Sequence, residues 1–284
     1  MASAFAFYRG AAAVMASDLA TTPVSGFRAQ LCGDAHLLNF GGYASPERDL
    51  LFDVNDFDET LPGPWEWDVK RLAASIAIAG RGAGLLRGER RTAIEATGRR
   101  YRETMRSLAA DTELSVWYAK LNEWMLVDRF RTDFGRKAAP ELDRALTKAR
   151  SKDHLKAFSK LTRMVDGEPS IVADPPIVTP LRDLVPGERS EIEGPLKRLF
   201  RTYRQTLQRD RRHLLDRYRI VDIARKVVGV GSVGTSCWIL LLMGRDASDP
   251  LFLQVKEAQP SVLAPFAGKS RFSNQGERVV EASG

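Results

Sequence analysis

The chain has 284 residues, 44% of them apolar, with five Trp and a formal net charge of +7. That length and apolar content suit one large or two small domains with a substantial core and exclude an intrinsically disordered chain. No apolar run approaches the roughly 20 residues of a membrane span, Met1 to Ala20 is interrupted by Arg9 and Asp18 as a secretory signal is not, and Cys32 and Cys237 make neither a disulfide framework nor a metal-ligand pattern. A cytoplasmic protein with reduced thiols is the expectation.

In chain order, Ala-rich periodicity predicts helix over residues 1–20, and residues 26–60 read as a loop followed by a hairpin. A helix from Trp65 to Ala79 places Val69, Leu72, Ala73, Ile76 and Ala79 at helical spacing. Further helices are predicted at about 88–110, 113–130, 138–150 and 151–163. Rich in Pro and Gly, Asp166 to Gly187 reads as a linker or lid. A helix over 190–216 follows, then strands, and a last periodic helix begins at Glu277 to Glu281. The pattern breaks off at Ala282-Ser283-Gly284, so a truncated final lobe is expected. The whole reads as α+β, with a mainly helical part at 1–187 and a β-rich part at 188–284. Arg-rich faces at 87–106 and 197–219 read as solvated helix faces, with nucleic acid or an anionic substrate as the alternative partner.

Chemistry concentrates in Gly33-Asp34-Ala35-His36-Leu37-Leu38-Asn39 and in the acidic strand end Asp53-Val54-Asn55-Asp56-Phe57-Asp58. Phosphoryl transfer to a hydroxyl needs a carboxylate to orient the attacking oxygen, an amide oxygen for a metal, and a second carboxylate to hold that metal against the phosphates. Asp34, Asn39 and Asp56 supply these in that order, with the D-x-x-x-x-N spacing of kinase catalytic loops. Oxygen-only ligands suit Mg²⁺. Asp53 and Asp58 compete with Asp56 for that role. A metal-dependent hydrolase built on Asp34, His36 and Asp53 is a further reading, and Asp34 as a simple turn residue is the plainest one.

The segment Cys32-Gly33-Asp34-Ala35-His36-Leu37-Leu38-Asn39 resembles the H-G-D-x-H-x-x-N loop of aminoglycoside and choline phosphotransferases of the protein-kinase-like superfamily, with Cys32 in place of the leading His. Asp56-Phe57-Asp58 is similar to their D-F-G or D-x-D element, and Pro64-Trp65-Glu66-Trp67-Asp68-Val69-Lys70-Arg71-Leu72 to their P-x-x-x-D-L-A-x-L helix start. The resemblance implies Asp34 as catalytic base, Asn39 and Asp56 as metal ligands, and Asp68 as a buried group bracing the loop. From Phe5 to Glu281 the chain also resembles a bacterial family known only as domain of unknown function 2252, a name that carries no activity.

Downstream, Val228-Gly229-Val230-Gly231-Ser232-Val233-Gly234-Thr235 is a G-x-G-x-x-G loop followed by the apolar strand Cys237 to Met243. A strand after the glycines argues against a dinucleotide fold and for a phosphate-covering hairpin. After a turn at Gly244 to Pro250, the strand Leu251 to Lys256 ends where a kinase carries its phosphate-binding lysine. Glu277 or Glu281, with Glu281 preferred, is the expected helix partner of Lys256. Glycine loop and lysine follow the catalytic loop here, the reverse of ordinary kinases, which leads us to expect a circularly permuted protein-kinase-like fold. ATP and Mg²⁺ are the expected cofactors, with a hydroxyl of a small molecule or protein as acceptor. A nucleotide-binding pseudokinase acting as an interaction module is the alternative. The bland readings are a tight hairpin for Gly229, Gly231 and Gly234, a surface position for Lys256, and packing roles for Trp65 and Trp67.

Overall fold

A computed structural model describes residues 3–45, 47, 49–122, 125–128, 132, 144, 147, 154–165, 167–184, 186–227, 236–246 and 248–282. Helix and strand are mixed, and the chain divides into two compact units. One holds Met1–Arg150 together with Ala258–Gly284, the other Ser151–Glu257. The sequence boundary at 187/188 lies inside the second unit.

The first unit opens with α1 (Ala4–Arg9) and α2 (Ala12–Ala20) in place of one continuous helix. Gly10, a poor residue for a helix interior, ends α1, its N–H turning back to the carbonyls of Phe7 and Tyr8. Strand β1 (Arg28–Leu31) is followed by the hairpin of β2 (Phe40–Ala44) and β3 (Leu50–Val54). Strand β4 (Leu61–Pro64) then returns to pair antiparallel with β1, Leu31 opposite Leu61. Helix α3 (Glu66–Gly82) runs back beneath the loops and packs on α4 (Arg87–Leu108), where Trp65 stacks on Tyr101 with ring centroids 5.3 Å apart. No residue of α4 is buried, as its Arg-rich sequence requires.

The predicted helix at 113–130 begins as the short α5 (Glu113–Trp117), gives way to extended chain beside β3, whose open edge offers unpaired main-chain groups, and is helical again at 125–128. There Phe52 donates its N–H to the Leu121 carbonyl, 2.9 Å. Most of the expected helix at 138–150 lies outside the described residues. The core joins Ala16, Leu19, Leu31, Leu61 and Trp67 to Leu263 and Ala267, so residues after 257 return to complete this unit.

In the second unit the helix His154–Leu161 leads into β5 (Thr162–Val165) and β6 (Glu168–Ile171), an antiparallel pair. Strands β7 (Val178–Pro180), β8 (Arg219–Lys226), β9 (Cys237–Met243) and β10 (Pro250–Lys256) form an antiparallel sheet in the order β10-β9-β8-β7. The stretch 166–187 is therefore built into the unit as β6, β7 and a 3-10 turn at Leu181–Asp183, a correction to the linker or lid reading. Two of its five prolines, Pro169 and Pro180, sit on edge strands, where a missing N–H is tolerated. Two helices, Pro186–Thr206 and Arg209–Leu215, replace the single one expected at 190–216. Alternation along β9 sends Trp238, Leu240 and Leu242 into a core with Leu196, Phe200 and Ile223, and Leu241 to the other face with Ala224 and Ile171. Buried on both faces, β9 reads in sequence as an unbroken apolar run.

Candidate active site

Between β1 and the 3-10 turn Leu37–Asn39, a tight loop turns at Gly33, whose φ is +86°. A Cβ there would lie 2.2 Å from the Glu59 carbonyl oxygen, so glycine is needed both for its backbone angle and for the close approach. The loop rests on one face of α3, where Asp68, Arg71 and Ser75 recur at helical spacing. Asp68 accepts the N–H of Cys32 at Oδ2 (2.7 Å) and that of Gly33 at Oδ1 (3.0 Å). Ser75 Oγ accepts the Leu37 N–H, 2.9 Å, and donates to the Leu72 carbonyl.

Arg71, 3% exposed, donates from Nε to Asp34 Oδ1 at 2.5 Å and from Nη2 to the Tyr8 carbonyl at 3.1 Å. Its guanidinium lies 4.6 Å from the centre of the Tyr8 ring, and the Tyr8 hydroxyl donates to the Arg71 carbonyl at 2.8 Å. This clasp of Tyr8 on Arg71 fixes the guanidinium that holds Asp34.

Asn39, 4% exposed, joins the loop to the acidic strand end. Its Nδ2 donates to the carbonyls of Asp34 and Asp56, each at 3.0 Å, and its Oδ1 accepts the Asp56 N–H at 2.9 Å. Asp56 Oδ1 in turn accepts the Asp58 N–H. Asp53 is exposed, its Oδ1 turned to the Val54 N–H of its own strand. Of the three competing aspartates, Asp56 is the one that shares Asn39 with Asp34. Among the described residues no three His, Cys, Asp or Glu side chains converge as a metal cluster, so the trio Asp34, His36 and Asp53 is not assembled as one.

Burial pushes Asp34 up to about 6 against the opposing pull of Arg71, and the Asp56 charge adds to the rise. Burial brings His36 down to about 4, with Arg71 and Arg9 acting in the same direction. His36 is thus neutral near pH 7, and its Nε2, 3.8 Å from Asp34 Oδ2, makes no ion pair there. Burial and the Asp68 charge raise the Cys32 thiol to about 12, which keeps it an unreactive thiol. Asp68 is itself raised by burial, opposed by the two amides that it accepts.

Asp34, His36, Asn39, Asp56 and Asp58 thus share one loop-and-strand unit, and Asp68 braces it from α3. Gly229, Gly231, Ser232 and Gly234 lie outside the described residues. Lys256 ends β10 in the second unit, paired with Cys237, and Glu281 lies on the helix Gln275–Ala282 of the first. On that helix Glu277 and Glu281 are exposed, and the buried residue is Arg278, 2% exposed. Arg278 donates to the carbonyls of Thr60 (2.6 Å), Asp58 (2.8 Å) and Gln259 (2.8 Å), pinning the chain just after Asp56. Sequence reasoning missed Arg278, because main-chain carbonyl partners leave no trace in a sequence. It missed Tyr8 and Arg9 as well, although Phe5, Tyr8 and Arg9 stand at the i, i+3, i+4 spacing of one helix face.

No curated protein and no solved structure matches the chain. The family model of DUF2252, described as an uncharacterised protein conserved in bacteria, matches residues 1–283, and the chain belongs to that family.

Proposed function

We propose that this protein is an ATP- and Mg²⁺-dependent phosphotransferase that acts on a hydroxyl of a small molecule or protein. The observation that supports it is the single buried amide of Asn39, which ties the Asp34 main chain to that of Asp56 while Arg71 holds the Asp34 carboxylate. Ionised above about pH 6, Asp34 can accept a hydrogen bond from the acceptor hydroxyl, aim its oxygen and take its proton as the new bond forms. The donor set fits Mg²⁺: Asp56 contributes a carboxylate, and Asn39 Oδ1 has a second lone pair beyond the one that receives the Asp56 N–H. When bound, the ion would neutralise charge on the phosphates. Gly229, Gly231, Ser232, Gly234 and Lys256 are the proposed nucleotide-binding groups, Glu281 the proposed partner of Lys256, and a permuted kinase-like fold in the cytoplasm the proposed setting.

Hydrolysis of γ-labelled Mg·ATP, with water in place of the acceptor, tests the reading. Wild type should release labelled phosphate, and Asp34→Asn should lose at least about a thousandfold of that rate while still binding nucleotide. Equal rates would remove Asp34 from the mechanism. The engagement of both ends of the Asn39 side chain by main-chain groups favours a second reading, a nucleotide-binding module without turnover. Mg·ATP binding with no release from wild type would establish that reading.

A further inference from the structure

We propose that Arg9 and His36 form an oxyanion subsite beside Asp34 that takes a phosphate or carboxylate group of the acceptor. The Phe5, Tyr8 and Arg9 face of α1 lies over the catalytic loop. Phe5 meets the His36 ring edge-on, with centroids 6.4 Å apart at 74°, and Tyr8 is clasped on Arg71. These two contacts anchor α1 within its last turn before Arg9. Each of the three Arg71 side-chain nitrogens already has a partner, on Asp34, Tyr8 and the Met15 sulfur. The Arg9 guanidinium makes neither a hydrogen bond nor an ion pair among the described residues, and its Nε is buried without a partner. His36 is 6% exposed, and its Nδ1 is likewise buried without one.

The two orphaned nitrogens, one a helical turn from the Phe5 ring that meets His36 and the other on His36 itself, are exceptions to the rule that buried polar groups are paired, and a ligand that accepts from both would satisfy them. The Arg9 charge reaches both neighbours, since it disfavours a proton on His36 and on Asp34. A neutral imidazole can present one N–H, and a guanidinium presents a fork matched to a phosphate or carboxylate, so the ligand is an oxyanion. The subsite deepens the phosphotransferase reading, on which its role as an acceptor site rests. It narrows the acceptor to a molecule that carries an anionic group as well as a hydroxyl.

The test is a thermal-shift and calorimetric titration of the full chain with inorganic phosphate, first without nucleotide or metal, so that its result stands whether or not the protein transfers phosphoryl groups. Phosphate should stabilise wild type, bind at least about tenfold more weakly to Arg9→Gln, be partly restored in Arg9→Lys, and bind unchanged to Arg91→Gln, whose side chain is exposed on α4. No binding at tens of millimolar, or equal binding to wild type and Arg9→Gln, would overturn the subsite; circular dichroism of each variant checks that it is folded. A second titration in saturating Mg²⁺ and a non-hydrolysable ATP analogue separates the two sources of an oxyanion. Retained phosphate binding supports the acceptor assignment, whereas competition would give the site to the terminal phosphate of the nucleotide and overturn that assignment.

Discussion

Asp34 is a carboxylate whose protonation falls within the range where enzymes are assayed. Burial raises it to about 6 despite Arg71. Its ionised fraction therefore drops about tenfold per pH unit below that value, and kcat/KM for phosphoryl transfer should follow, level above about pH 7. Because the folded pKa lies above the unfolded one, the contribution of Asp34 to stability is full below about pH 4 and is lost as pH rises through 6. Arg71→Met removes the cation that holds the value down and should move the acid limb upward, while Arg71→Lys should keep it near wild type; an unmoved limb in Arg71→Met would mean that Arg71 does not act through Asp34. Asp34, Asn39 and Asp56 were legible in the sequence because loop chemistry fixes their spacing. Tyr8 was not, because it acts through a ring face and a main-chain carbonyl contributed by a distant helix.

At the scale of elements, α3 is the scaffold of the site, its Asp68, Arg71 and Ser75 face carrying the loop from Cys32 to Leu37. Asp68→Ala strips the acceptor from two amides and should cost about 2–4 kcal/mol in denaturant unfolding, with Asp68→Asn in between. Gly33→Ala should be at least as damaging, since it meets both a left-handed backbone and the Glu59 carbonyl. Wild-type midpoints in either alanine variant would show that the loop is held some other way. The α3 helix was legible from its apolar spacing; the role of Arg71 was not, because an arginine on a helix reads as a solvated charge until the fold sets it against Asp34. The strands in 166–187 were not, because short edge strands tolerate the prolines that in sequence announce a loop.

Across the whole molecule, the chain leaves its first unit for Ser151–Glu257 and returns to it. Leu263 and Ala267 enter the core of that unit, and Arg278 crosses three carbonyls beside the acidic strand end. Periodicity marked the last helix but not its buried face, since an arginine surrounded by carbonyls reads in sequence as a surface residue. Arg278→Met should cost roughly 3 kcal/mol, read as a lowered Tm, because several charge-assisted bonds are lost and their carbonyls are left buried; a change within about 0.5 kcal/mol would mark that helix as peripheral. The phosphotransferase reading meets its most direct test in a thermal-shift titration with ATP, with and without Mg²⁺, on wild type, Asp56→Asn and Lys256→Ala. A ligand that binds only the folded protein must raise its apparent stability. The expected result is a Mg²⁺-dependent rise in Tm for wild type that is reduced in Asp56→Asn and lost in Lys256→Ala. A wild-type Tm indifferent to Mg·ATP at millimolar concentration, or equal shifts in all three proteins, would contradict it.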